Sequence, residues 1–321
     1  MSGRRAILVF AVATLLSGCG GQGKTATPTS STPATVGKPS PCGHRSPGPA
    51  SYSHVIWLWM ENQSYDQVVG SSSAPYLASL ARACGLATNY HNITHPSLPN
   101  YIAATSGLGG ADLGPFTTDC NPSASCSTDA TSIFAQASSW RAYEESMPTA
   151  CDRQDSGDYA ARHNPPPYYR SLVGCPRRDV PLTRLTGDLN TNSLPAFSFI
   201  TPNLCHDTHD CPVSAGDRWL ATEVPRILDS PSYRVGHTVL FITWDEGEGG
   251  STSDCAANEG DVGCHVAALV VSPSTPAGQR SGKPFNHYSL LRTTEDLLGV
   301  PPLGEAAGAT SMAHVFGLGS Q

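Results

Sequence analysis

The sequence predicts an α/β fold: a mostly parallel central sheet with helices on both faces and a loop-rich insertion near the site. Three observations predict it. Short runs dense in β-branched and aromatic residues alternate with longer segments of helical spacing, the pattern of strands joined by crossover helices. Polar residues gather just after the strands, at the edge where open α/β sheets build their sites. The chain has 321 residues, 39% of them hydrophobic, and the roughly 270 residues beyond its N-terminal stretch suffice for one sizeable core.

The elements follow in order. Residues 54–60 are mostly apolar and read as a buried strand. The spacing of Tyr76, Leu77, Leu80 and Ala81 predicts a helix over 75–84. A second helix is expected over 98–105, closed by Ser106-Gly107. Residues 196–200 read as a strand ended by Thr201-Pro202. Residues 217–228 read as a helix despite Pro225. The V-L-F-I run within 238–243 is a strand, as are residues 266–271 before Ser272-Pro273. A last helix over 288–298 is stopped by Gly299 and Pro301. Residues 141–195 differ: they hold Pro165-Pro166-Pro167, aromatics and two cysteines with weak periodicity. They read as an insertion beside the site, involved in substrate choice or a plain surface excursion.

The N-terminus reads as a targeting segment. Arg4 and Arg5 precede an apolar run over 6–16 that is too short to span a membrane. Leu16-Ser17-Gly18-Cys19 follows and resembles the bacterial lipobox. This predicts a signal peptide over 1–18, a lipidated Cys19 at the head of a Gly/Thr/Ser/Pro-rich linker over 19–52, and one domain over 53–321. The protein would be exported and anchored on the outer face of the membrane, or secreted. Residues 18–25 satisfy the P-loop expression, but no core strand precedes them and no helix follows, so nucleotide binding there is excluded.

Of eleven cysteines, ten remain after Cys19, an even number in an exported chain, which predicts five disulfides. Proximity suggests Cys120 with Cys126, Cys151 with Cys175, Cys205 with Cys211 and Cys255 with Cys264, leaving Cys42 and Cys84. The net charge of −7 and 14% charged residues exclude a basic nucleic-acid groove. They also argue against broad electrostatic attraction to anionic lipid, and they suit carboxylates gathered around a cation.

Four strand ends supply such groups. Residues 54–60 lead into Glu61-Asn62. Residues 238–243 lead into Asp245-Glu246. After 196–200 come Asn203, His206, Asp207 and His209, and a late loop brings Asn286-His287. Hard oxygen ligands with imidazoles predict a metal site. In His95-Pro96-Ser97-Leu98-Pro99-Asn100, Ser97 stands where a loop enters a helix, either as a nucleophile near free amides or as a plain N-cap.

Six segments carry a resemblance: M-E-N-Q-S-Y-D from residue 60, T-H-P-S-L-P-N-Y from 94, F-I-T-P-N-L-C-H-D-T-H-D from 199, G-D-R-W-L from 216, T-W-D-E-G from 243 and N-H-Y-S-L-L-R-T-T-E-D from 286. Together they resemble the bacterial phosphoesterase family of secreted acid phosphatases and phospholipases C, within the alkaline-phosphatase superfamily. They are most similar to short secreted acid phosphatases, including ones acting on phosphatidylinositol 3-phosphate. The resemblance implies that residues 53–321 are a phosphoesterase catalytic domain acting on a phosphate-ester substrate. It implies a divalent metal held by Glu61, Asn62, Ser97, Asp245 and Glu246. Ser97 would be the metal-bound nucleophile, giving a phosphoserine, and Asn100 would hydrogen-bond the phosphoryl oxygens. Relatives with two metals carry D-H-G and P-D where this chain has Asp245-Glu246-Gly247 and Pro202-Asn203. One tight metal is therefore expected. Asn203, Asp207 and His287 would contact the phosphate or a second, weaker ion. One of His206, His209 and His287 would protonate the leaving oxygen, favouring turnover at mildly acidic pH. The alternatives are a phospholipase C-like phosphodiesterase and a non-catalytic surface-binding lipoprotein.

Overall fold

The computed structural model describes residues 40–319, apart from 251–253, 256, 257 and 259, together with residues 11, 13 and 14. Cys19, the P-loop-like stretch and nearly all of the expected signal segment lie outside the described residues. Nine strands form one sheet: β1 His54–Met60, β2 Gly85–His91, β3 Trp140–Glu144, β4 Asp179–Pro181, β5 Phe197–Thr201, β6 Thr238–Trp244, β7 His265–Val271, β8 Arg280–Ser281 and β9 Phe285–Asn286. Their order is β4-β3-β5-β1-β6-β7-β2-β8, with β9 also pairing β2. Pairing is parallel except that β7 runs antiparallel to both β6 and β2. The expected mostly parallel sheet is present.

β1 sits at the middle of this order, between β5 and β6. Residues Val55 to Met60 are all fully buried, as a strand covered on both faces demands, which is why its sequence is a continuous apolar run rather than an alternation. Trp57 and Trp59 stack on the same face, and Phe197 meets Trp57 edge-on. Around the sheet lie the helices Pro75–Ala83, Ser97–Ser106, Thr183–Asn190, Val213–Asp229 and His287–Leu298, with shorter turns between them.

The G-D-R-W-L segment belongs to the helix Val213–Asp229 and does structural tasks. A Cβ on Gly216 would stand 2.4 Å from Thr208 Cγ2 and 2.9 Å from Met60 Cε, so only glycine lets this helix close on the 206–208 loop. Asp217 accepts from the Tyr76 and Leu77 amides at 3.0 and 2.9 Å, satisfying free donors of the helix Pro75–Ala83 from outside. Trp219 Nε1 donates to Glu145 Oε1 at 3.1 Å.

Five strands are not legible in the sequence: β2, β3 and the short β4, β8 and β9. β2 is interrupted by a register shift between Ala87 and Tyr90, which breaks its alternation. β3 carries Arg141 and Glu144, charges that hide a strand interior. It pairs with β5 over its whole length, so the segment expected to be an insertion begins inside the sheet. The tether also ends sooner than residue 52. Cys42 is bridged to Cys84, the His44 amide donates to the Pro273 carbonyl at 3.1 Å, and Tyr52 hydrogen-bonds Ser274 at 2.8 Å. One compact unit spans Ser40–Gln321. All five expected disulfides are formed.

Candidate active site

The site starts from the register of β1 and β6. Met60 pairs with Trp244, so the residues that follow, Glu61 and Asp245, leave the sheet side by side. The Asp245 amide donates to the Met60 carbonyl at 2.9 Å, and the Glu61 amide to the Asp207 carbonyl at 2.8 Å. Asn62 has a φ of +53°, a left-handed conformation that asparagine tolerates better than most residues. Its amide donates to Asp245 Oδ1 at 3.1 Å. The backbone thereby turns two acidic strand ends toward one point.

Ser97 comes to that point from the opposite wall. It is the first residue of the helix Ser97–Ser106, and the N-cap is Pro96, so the serine is not the cap. Its buried hydroxyl donates instead to Glu61 Oε2 at 3.1 Å, with Glu246 Oε1 3.5 Å away. Tyr101, one helical turn on, donates a short hydrogen bond to Glu61 Oε1. His95 Nδ1 lies 2.8 Å from Glu246 Oε2.

A third group was missed by the sequence reading. His163, from the weakly periodic 141–195 segment, stacks flat on Tyr101 with ring centroids 5.5 Å apart. Its Nε2 lies 3.3 Å from Glu61 Oε1 and its Nδ1 3.2 Å from Asp207 Oδ2. Glu61, His163 and His209 offer ligand atoms within 4.8 Å of one another. Arg162 Nη2 donates to His209 Nε2 at 3.2 Å, while His209 Nδ1 is 2.6 Å from Asp210 Oδ1. A His-Asn-Pro-Pro-Pro run away from any expected strand end gave no signal for this role.

The electrostatics are those of a cation site. Burial raises the Glu61 carboxyl well above its ordinary range, and Asp245 and Asp207 push it further. Burial, then Glu246, does the same to Asp245. Burial dominates for Asp207 and Glu246 as well, with the latter partly relieved by His95. Burial, then Arg162 and His209, holds His163 well below its usual value, so its ring is neutral. Asp207 Oδ2, Asp245 Oδ2 and His163 Nε2 are buried with no hydrogen-bond partner. Several carboxylates with orphaned oxygens beside a neutral imidazole fit a divalent cation.

Four expected site residues are engaged elsewhere. The Asn100 side-chain amide donates to the Thr94 and Pro96 carbonyls at 2.8 and 3.1 Å and reaches Glu246 at 3.4 Å, while its oxygen accepts from the Ile93 and Thr94 amides. It builds the loop before Ser97. Asn203 is spent on Ser146 and the His206 amide. His206 faces Glu145 at 2.9 Å and stacks toward Trp219. His287 is fully buried between the Tyr90 hydroxyl at 3.0 Å and the Asp245 carbonyl at 2.6 Å. It braces the β6 end. Of the three histidines expected to move a proton, His209 joins the cluster.

Comparison with known proteins bears on the family and the fold. Residues 71–301 match the phosphoesterase family. The chain is 27% identical to a phosphatidylinositol-3-phosphatase of Mycobacterium tuberculosis, over 83% of this chain and 84% of the relative. It is also 27% identical to an acid phosphatase of Aspergillus fumigatus, over 79% of this chain and 56% of the relative, so it spans little more than half of that protein. The fold is shared with an alkaline-phosphatase-superfamily protein of Vibrio parahaemolyticus, with a TM-score of 0.55, 14% identity, and coverage of 84% of this chain and 72% of the other. It is also shared with murine ectonucleotide pyrophosphatase/phosphodiesterase 5, with a TM-score of 0.52, 11% identity, and coverage of 81% and 100%.

Proposed function

The chain belongs to the phosphoesterase family, and on that premise we propose that it hydrolyses phosphate monoesters through a phosphoserine formed on Ser97. The observation that carries this reading is the Ser97 hydroxyl, buried at a helix start and donating to Glu61 within a cluster of carboxylates. Glu61, Asp245, Glu246 and His163 would hold a divalent cation, with Asn62 beside them and Asp207 and His209 available to a second. Such a cation supplies charge neutralisation and lowers the pKa of a serine hydroxyl.

The chain's own residues do the rest. Glu61 Oε2 accepts the hydrogen bond of the Ser97 hydroxyl and so aims its lone pairs. Asn100 fixes the loop that presents it. Ser97 Oγ passes its proton to Glu61 Oε2, the acceptor of its hydrogen bond, and forms a bond to phosphorus as the bond to the leaving oxygen breaks; Glu61 returns that proton when water frees the serine. His95, held through Nδ1 by Glu246, is the imidazole that would give that oxygen its proton. Arg162, tied to His209, stands where a guanidinium can grip the phosphoryl oxygens. Water then attacks phosphorus, releasing inorganic phosphate and restoring the hydroxyl.

The names of the relatives support a phosphoinositide or another phosphorylated small molecule as the ester. The five disulfides support export, and the Leu16–Cys19 motif supports anchoring through Cys19. A phospholipase C-like activity is the second reading, since a hemolytic phospholipase C of Pseudomonas aeruginosa is 25% identical, over 43% of its length. Acid quench during turnover of a monoester labelled on phosphorus should leave label on the Ser97 peptide. Ser97→Ala should abolish both label and turnover, and exhaustive chelation should abolish turnover until divalent metal is restored. Near-normal activity of a folded Ser97→Ala protein would sink the mechanism, and faster turnover of a bis-ester would favour the second reading.

A further inference from the structure

A second charged feature lies at the far edge of the sheet. β4 is the outermost strand on its side, separated from β1 by β3 and β5. Between it and the helix Thr183–Asn190 opens a pocket of about 580 Å³ lined by Arg141, Arg177, Val180, Pro181, Thr183 and Arg184. Arg178 adds a fourth guanidinium, lying over the Trp140 ring at 5.7 Å.

One carboxylate answers these charges. Asp188 pairs with Arg141 and, at 3.2 Å, with Arg184. It also accepts from the Tyr143 hydroxyl at 2.9 Å. Arg141 Nε is buried without a hydrogen-bond partner, and Arg177 is exposed. The nearby Asp179 is turned inward onto Asn164 and adds no surface charge. In a chain of net charge −7, this is a local excess of positive charge.

The turn that leads into Arg177 presents an apolar tip. Val173 is 81% exposed, the highest value among the exposed large hydrophobic residues described, while Leu172 beside it packs against the core and anchors the turn. The tip is held from both ends. Cys175 is bridged to Cys151, and Arg170 is fixed to Asp129 and Ser127. A single exposed valine is ordinary on a protein surface; this one is held four residues before Arg177 of the arginine pocket, so an apolar side chain and a cluster of positive charge stand close in the chain, the two components that bind a protein to a lipid surface.

We propose that this arginine pocket and the Val173 tip dock the protein onto an anionic lipid surface, the pocket taking a headgroup phosphate and the valine entering the interface. The occupant is a phospholipid rather than free phosphate because the apolar tip has no task toward a soluble anion. Docking at this edge is independent of the carboxylate site, so it holds whether or not the proposed hydrolysis is correct.

The test uses the full chain carrying Cys19→Ser, so that no acyl group contributes, and sedimentation with phosphatidylcholine vesicles with or without phosphatidylinositol. The protein should bind the anionic vesicles, and added salt should weaken binding. Arg177→Glu with Arg184→Glu should weaken it roughly tenfold or more, and Val173→Asp should weaken it further. Hydrolysis of a soluble monoester should be unchanged, which separates this test from that of Ser97. Equal partitioning of wild type and the double variant would overturn the proposal, as would absence of binding to anionic vesicles. Binding of inorganic phosphate at the pocket without vesicle binding would also overturn it.

Discussion

Ser97 shows what a single residue conceals in sequence. Its place before a helix is equally that of a cap or of a nucleophile, and the partner that decides between them, Glu61, is 36 positions away. Asp245 and Glu246 were legible because a strong strand delivers them. His163 and Arg162 were not, because no strand or helix signal precedes them and tertiary packing alone brings them to Glu61 and His209. Asn100 and His287 were expected to act on the phosphate, yet their polar atoms are taken up by backbone groups and by Glu246 and Tyr90. A second buried carboxyl carries a consequence at this scale. Burial lifts Asp179 to about 7, against the hydrogen bond from Asn164 and with help from Asp152. Its folded pKa exceeds the unfolded value of about 4, so the stabilisation from its bound proton is complete below about 4 and is lost as pH rises through about 7. Asp179→Asn should therefore flatten the fall in unfolding free energy between about pH 4 and 7, by at most about 1.4 kcal/mol per pH unit. Urea unfolding of both proteins at those pH values measures it, and identical slopes would refute the assignment.

The elements that could be read were those with one clear environment. β1, β6 and β7 are buried nearly throughout and show as apolar runs. β2 and β3 carry polar residues that answer to particular partners, such as His91 to Asn89 and Arg141 to Asp188, so their strand character is lost in the pattern. The helix Val213–Asp229 was expected four residues too late, because its start is fixed by contact with the 206–208 loop rather than by propensity. That contact makes Gly216 testable. Alanine is favoured over glycine inside a helix by about 1 kcal/mol, but the new methyl would overlap Thr208 and Met60 at a cost of about 1–3 kcal/mol. Gly216→Ala should lower the melting temperature and, by shifting the loop that carries Asp207, lower turnover too. A higher melting temperature would show that the helix can move aside freely.

At the scale of the whole molecule, the sequence could place polar groups after strands but could not order the strands. The reversal of β7 between β6 and β2 leaves no mark in composition or periodicity. The disulfides were more legible, since four of the five close short stretches of chain and only Cys42–Cys84 spans 42 positions. That long bridge has a mechanical meaning. A pull on the chain at Ser40 reaches Cys42 first and passes through sulfur to Cys84, at the end of the helix Pro75–Ala83. β1, the strand that ends in Glu61, lies between the two cysteines in sequence and inside the covalent loop, so tension bypasses it. In single-molecule stretching from residue 40, the oxidised protein should lengthen without releasing residues 43–83, and reduction should let β1 peel away at lower force. Equal extension in both redox states would place the load on the sheet instead. For a protein held at a surface by its N-terminal side, the catalytic edge would then be insulated from the drag on its own leash.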